Sequence, residues 1–255
     1  MHGSMSTTTT ATVLVGHGSL LAESGMAMFR IADHLRTQGV TPVVEAGFLN
    51  FSQPTFADAV TQAQTQGADQ IIVQPYFLIE GHYVACELPT LVRTVAASHP
   101  QLRFVLGSVL GAHPALVQLA RERLSAINPT PTVDTALLVV AHGTPLADAN
   151  APIEQVLKRV AQQAEYGSAL VGYLDCNEPS IPHAFARLAA TGVRRIDVLP
   201  YFLHLGRHVR ADLPEHFAAA RAAYPQIDIR IAQHLDYDPL LAQAVAERTL
   251  ESLNC

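Results

Sequence analysis

Tryptophan is absent from this sequence, and among its 255 residues there are three cysteines and a single lysine, Lys158. Cys86, Cys176 and Cys255 lie far apart and form no C-x-x-C pair, which excludes a disulfide framework and a zinc knuckle. A reducing cytoplasm is the expected compartment. No apolar run reaches the roughly 18 residues of a membrane span, and no secretory apolar segment follows the N-terminus. Charge is sparse as well, at 15% of residues with a net charge of -6 and no basic tract. That balance excludes a disordered charged chain and argues against nucleic acid as the partner. There is no G-x-x-x-x-G-K stretch and no dinucleotide fingerprint, so no nucleotide is expected.

What is present is a 49% hydrophobic chain, long enough for one large domain or two small ones. Its basic residues other than Lys158 and the histidines are all arginine, which reflects composition bias or forked recognition of carboxylates. Twelve histidines are a first hint of metal or proton chemistry. The opening Met1-His2-Gly3-Ser4-Met5 reads as an expression remnant ahead of a native Met5, and 1–10 is expected to be tag or disordered N-terminus.

The dominant feature is an internal repeat. His17-Gly18-Ser19 returns as His142-Gly143-Thr144, and Pro75-Tyr76-Phe77-Leu78 as Pro200-Tyr201-Phe202-Leu203. Leu88-Pro89 returns as Leu213-Pro214. Every pair is 125 positions apart, as are Pro54 and Pro179, Gly67 and Gly192, and Pro114 and Pro239. A period this long means two domain-sized lobes rather than a solenoid. The expected division is an N-terminal lobe over 11–127, a Pro/Thr-rich linker over 128–134, and a C-terminal lobe over 135–255.

Within the first lobe, short apolar runs at Thr12–Val15, Val43–Phe48, Ile71–Val73 and Leu102–Leu106 read as buried strands. Between them, Ala22–Thr37, Thr55–Gln66, a segment starting near Leu88-Pro89, and Pro114–Leu124 carry helical periodicity. The second lobe repeats this, with strands near Leu137–Val140, Ala169–Tyr173, Ile196–Leu199 and Ile227–Ile231. Alternating strands and helices predict an α/β fold: two tandem doubly wound lobes, each a four-stranded parallel sheet flanked by helices, with a cleft between them. Ligands in such sheets sit beyond the carboxyl ends of the strands.

That rule selects three loops in the second lobe. They present His142 after its first strand, Asp175 after its second, and His208 after its third. Two imidazoles and a carboxylate suit a divalent first-row metal with open positions. Gly143 and Gly206 beside the histidines would let backbone approach a flat ligand. Each residue also has a plainer reading: a lone loop histidine is more often a hydrogen-bonding group, and Asp175 could cap a turn. His183, His204, Asp212 and His216 are near the same loops but are not tied to the strand ends. In the first lobe His17 is kept, Asn50 stands opposite Asp175, and Tyr83 stands opposite His208 with His82 one residue earlier. On an extended segment neighbouring residues point apart, so His82 is no simple substitute.

The motifs H-G-S/T, F/Y-L-[acid]-x-x-x-P and P-x-x-L-x-x-G-x-H-V-x-x-D-[LI]-P occur here in order. They stand as His142-Gly143-Thr144, as Tyr173-Leu174-Asp175 with Pro179, and as Pro200 through Gly206-Arg207-His208-Val209 to Asp212-Leu213-Pro214. This pattern resembles the class II chelatases, the sirohydrochlorin cobaltochelatase and ferrochelatase family, over nearly all of both lobes. The resemblance implies insertion of Co²⁺ or Fe²⁺ into the tetrapyrrole sirohydrochlorin, for cobalamin or siroheme biosynthesis; a few relatives handle Ni²⁺. It implies no cofactor beyond the substrate metal. The family's metal ligands, two histidines and an acid, fall on His142, His208 and Asp175. Members occur as single-lobe homodimers or fused two-lobe monomers, and a monomer is expected here.

Metal insertion requires a hydrated ion to shed water and two pyrrole N–H protons to leave. Imidazoles with an ordinary pKa near 6.5 can hold the ion, release it and accept protons, and a carboxylate can assist. Activity is therefore expected to fall in acid. Sirohydrochlorin carries eight carboxylates, for which Arg207 and Arg210 are the candidate partners, with His17 lending a further contact. Rival readings are a non-catalytic metal or tetrapyrrole carrier, a working site in the first lobe around His17 and His82, and a plain binder of small anions.

Overall fold

The computed structural model describes residues 8–19 and 21–253. The expected N-terminal remnant falls largely on residues 1–7, outside the described residues. Order begins earlier than position 11, because the carbonyl of Thr9 accepts from the N–H groups of Asp69 and Gln70, and Thr10 already belongs to the first strand.

Strands β1 (Thr10–Gly16), β2 (Val43–Phe48), β3 (Gln70–Pro75) and β4 (Arg103–Leu106) form one parallel sheet in the order β2-β1-β3-β4. Strands β5 (Thr135–Ala141), β6 (Ser168–Tyr173), β7 (Arg195–Pro200) and β8 (Asp228–Ile231) form a second in the order β6-β5-β7-β8. The first strand of each repeat is central and almost wholly buried, as a parallel strand covered on both faces must be. The helices are α1 (Met26–Gln38), α2 (Phe56–Thr65), α3 (Leu88–Ser98), α4 (Pro114–Ser125), α5 (Ala151–Gln162), α6 (Ile181–Ala189), α7 (Leu213–Ala223) and α8 (Pro239–Leu253). Among the described residues no helix is long and apolar enough to cross a membrane.

Side chains of β1 alternate between two cores. Ala11, Val13 and Val15 join Phe56 and Val60 of α2 and Leu88 of α3. The intervening Thr12 faces the other way, its hydroxyl sharing a 2.8 Å hydrogen bond with that of Thr41. The second sheet repeats the arrangement: Ala136, Leu138 and Val140 pack with Phe185 of α6 and Phe217 of α7, whose rings meet edge to face at 6.5 Å. Two helix ends are capped locally. Thr55 opens α2 with a capping box, its hydroxyl accepting from the Asp58 N–H while the Asp58 carboxylate accepts from the Thr55 N–H. Gly39 ends α1 in the left-handed region at φ 65°.

The start of one helix departs from the sequence reading in each repeat. The helices expected to begin near Leu88-Pro89 and Leu213-Pro214 begin a turn earlier, as π-helical turns over Tyr83–Glu87 and His208–Asp212. The Leu213 N–H reaches the carbonyl of His208, an i to i+5 bond. Proline inside a helix cannot donate to the carbonyl four residues back and its ring crowds that group; a wider turn ahead of it relieves both problems. The proline therefore marks the place where the helix changes pitch, not where it starts.

The chain divides into two compact units that do not coincide with the sequence repeats. One holds Met1–Phe77, Tyr83–Leu110 and Val245–Cys255; the other holds Leu78–His82 and Gly111–Ala244. Helix α4, from the first repeat, thus belongs to the unit built on the second sheet, where it packs on α5 and β7.

Candidate metal centre

The strand order places the ends of β6, β5 and β7 side by side, with β5 in the middle. These three ends carry Asp175, His142 and the turn that begins with Arg207 and His208. The parallel register runs on beyond the strands, since the Leu174 N–H donates to the Ala141 carbonyl and the Asp175 N–H to the His142 carbonyl, each at 2.9 Å. Gly143, at φ 91°, allows this closeness: a Cβ there would run into the carbonyl oxygen of Asp175. The glycine expected to admit a ligand is thus already required by the protein's own backbone. The Thr144 N–H and the Asn150 side-chain amide both donate to Asn177 Oδ1, at 2.7 and 3.0 Å, and tie the two loops together.

His142 and His208 meet with ring centroids 4.9 Å apart at 73°. His142 Nδ1 lies 3.1 Å from the Gly143 carbonyl, and His208 Nδ1 lies 2.7 Å from Asp212 Oδ2. A carbonyl or carboxylate oxygen only accepts, so in its neutral form each ring carries its proton on Nδ1 and keeps the Nε2 lone pair for a ligand. The two rings line a solvent-open cavity of about 560 Å³ together with Leu174, Asp175, Asp212, Glu215, His216 and Ala219. Three carboxylates, three imidazoles and no lysine or arginine in the lining favour a cation over an anion.

The expected triad is not gathered around one point: His142 and His208 pair, and Asp175 lies on the cavity wall. Asp175 Oδ1 accepts from the Cys176 N–H at 2.8 Å, in a turn where Cys176 takes φ 63°. Among the described residues no group of three or more His, Cys, Asp or Glu side chains is gathered to hold an ion. The Cys176 thiol is pushed above its ordinary pKa, first by desolvation and then by the Asp175 charge.

Asp212, Glu215 and His216 complete the cavity, and sequence reasoning left them aside. Their spacing from His208 held the signal: 208, 212 and 216 share one helical face, but only if the helix is known to start before Pro214. Of the other candidates, His183 pairs with Glu178 at 3.0 Å. Arg207 is exposed and 3.8 Å from Asp212 Oδ1, and Arg210 is exposed on the following turn.

The first repeat keeps the backbone of this arrangement but not its chemistry. The Asn50 N–H donates to the His17 carbonyl at 3.0 Å, and His17 Nδ1 lies 2.9 Å from the Gly18 carbonyl. Tyr83 takes the place of His208, meeting the His17 ring at 4.2 Å, and Phe51 approaches it at 5.9 Å. His17 Nε2 is buried with no hydrogen-bond partner. The segment holding His82 and Tyr83 is helical rather than extended, which corrects the premise drawn from the sequence. Its register still sets Tyr83, not His82, beside His17.

The CbiX family model matches the chain twice, over residues 11–127 and 136–252. The chain belongs to the CbiX family. It is similar to the sirohydrochlorin cobaltochelatase of Priestia megaterium, at 24% identity over 244 residues covering 94% of this chain and 79% of that protein. Its fold is that of SirB from Bacillus subtilis, solved with Fe³⁺, with TM-score 0.84 at 20% identity and 95% of each chain covered. SirB from Bacillus subtilis subspecies spizizenii, solved in complex with cobalt, aligns with TM-score 0.78 at 18% identity, over 96% of this chain and 95% of that one. Two CbiX repeats in one chain account for the constant offset between the motifs.

Proposed function

We propose that this protein inserts a divalent metal, Co²⁺ or Fe²⁺, into sirohydrochlorin, and that the second repeat does the work. The observation that carries this reading is the pair of facing imidazoles, His142 and His208, each with Nδ1 engaged and Nε2 left for an ion. Family membership supplies the reaction class. A resident metal would call for a closed ligand set; a metal in transit calls for few, exchangeable ligands, and a two-imidazole site with acids around it suits the second case. Ni²⁺ is chemically admissible on the same donors. Asp175, Asp212 and Glu215 lower the cost of bringing in a dication. The tetrapyrrole's carboxylates need cations outside this acidic cavity, and Arg207 and Arg210, both exposed, are proposed to receive them. Gly143 and Gly206 are proposed to contribute to the surface that receives the macrocycle, and His17 is proposed as a substrate contact of the first repeat. The chain is proposed to act as a monomer because it carries both repeats, and in a reducing compartment because Cys86 and Cys176 are unbridged and exposed.

The test is turnover. Sirohydrochlorin and Co²⁺ or Fe²⁺ are mixed with the protein and the visible spectrum is followed against the uncatalysed rate. His142→Ala and His208→Ala are expected to bring the rate to background, while His82→Ala leaves it unchanged. The reverse pattern would move the site to the first repeat. Tight binding of metal or tetrapyrrole with no acceleration would make the protein a carrier.

A further inference from the structure

The geometry points to Asp212 as a positioning residue that fixes the tautomer and orientation of His208, and so presents its Nε2 to the incoming metal. Asp212 stands directly ahead of Leu213-Pro214, where an aspartate is ordinarily read as a helix N-cap. It does not act as one: its backbone is already helical, at φ -67° and ψ -44°, and its side chain makes no capping hydrogen bond. The carboxylate is turned instead to His208, with Oδ2 2.7 Å from Nδ1, while the other oxygen, Oδ1, faces the Arg207 guanidinium at 3.8 Å. An ionised carboxylate can only accept, so the shared proton belongs to the imidazole Nδ1.

The neutral imidazole otherwise favours neither face of a solvent-open cavity. A ring flip or a change of tautomer would put an N–H where the metal must bind, and the carboxylate prevents both. His142 receives the same service from a backbone carbonyl, that of Gly143, at 3.1 Å. His208 sits on a helical turn where its neighbouring carbonyls serve the helix, as the bond from the Leu213 N–H to the His208 carbonyl shows, and so a side chain takes that role. The π turn brings the two residues together, for His208 opens it and Asp212 closes it. The first repeat changes both positions at once: Tyr83 replaces the imidazole and Glu87 the aspartate.

This inference rests on His208 being a metal ligand, but its first measurement does not need chelatase activity. The ¹⁵N shifts of the His208 ring, recorded on the metal-free protein in alkaline buffer, report which nitrogen carries the proton. Wild type is expected to show Nδ1–H alone. Asp212→Ala and the shape-preserving Asp212→Asn are expected to show a mixture of tautomers, and Asp212→Glu to restore the single form in part. In parallel, Co²⁺ affinity is expected to fall roughly 10- to 100-fold in Asp212→Ala and to recover partly in Asp212→Glu, with sirohydrochlorin affinity and melting temperature little changed. An unaltered tautomer in both Asp212→Ala and Asp212→Asn would overturn the proposal. A shifted tautomer with unchanged Co²⁺ affinity would keep the orienting role and reject His208 as a ligand, which is a failure of the functional reading instead.

Discussion

At the scale of single residues, the site depends on one glycine and the molecule carries one unusual buried acid. Gly143→Ala forces a side chain into the left-handed region and against the Asp175 carbonyl. A loss of about 1–3 kcal/mol is expected in urea unfolding, together with loss of metal insertion. Gly192→Ala, also at positive φ but with open space around its Cβ position, should cost less stability and leave the site intact. Asp197 lies in the middle of β7 with no exposed surface; Oδ2 accepts from the Asn128 amide at 2.8 Å and the Tyr166 hydroxyl at 3.3 Å, while Oδ1 has no partner. Burial raises its pKa above the ordinary carboxylate value, against the lowering effect of those hydrogen bonds and of Arg195 and Arg230. The folded state therefore holds its proton more tightly than the unfolded state. Stability from this group is full below the unfolded value and declines as pH rises through the raised folded one. Asp197→Asn removes that dependence, so the gap between wild-type and variant urea midpoints should move in the variant's favour from about pH 4 to pH 7. A constant gap would mean that the group does not titrate differently on folding.

At the scale of elements, most of the fold was legible because local periodicity encodes it. Val43–Phe48 is a strand as read, and the Thr55 cap and Gly67 bracket α2 as their chemistry requires. The π turns were not legible, since proline was taken as a start signal, and whether a proline opens a helix or interrupts one depends on what precedes it in space. That single difference in phase hid Glu215 and left Asp212 and His216 named but not tied to the site. A second element-level feature is the tether from α4 to the segment before α8. Arg123 donates to the carbonyls of His234 and Leu235 and to Asp238 Oδ2, at 3.3, 2.9 and 3.1 Å, with both charged side chains mostly covered. Arg123→Met keeps the apolar stem but leaves Asp238 Oδ2 and two carbonyls without the guanidinium, so a loss of about 2 kcal/mol in urea unfolding is expected, with the imidazole pair untouched. A neutral result would show that water replaces the guanidinium at no cost.

At the scale of the whole molecule, the repeat seen in sequence and the unit seen in space are different objects. Helix α4 lies in the first repeat yet buries Leu116, Leu119, Ala120 and Leu124 within the unit of the second sheet. Each leucine buried there contributes roughly 1.5–3 kcal/mol. A fragment of residues 111–253 should therefore unfold at a clearly higher urea concentration than one of residues 135–253, although the latter contains the whole second repeat. Equal midpoints would place α4 outside that unit energetically.

The sequence by itself determined the two sheets, their strands, the order of the helices and the loops bearing His142, Asp175 and His208, because strand and helix periods act over a few residues and the repeat prints them twice. Only the tertiary structure decided that His142 and His208 become a pair with Asp175 held in its own turn, that Asp212 serves an imidazole instead of a helix end, and that α4 joins the second sheet. Those outcomes turn on the rotation of a helix about its axis and on surfaces meeting across long stretches of chain, and neither quantity is written in any short run of residues.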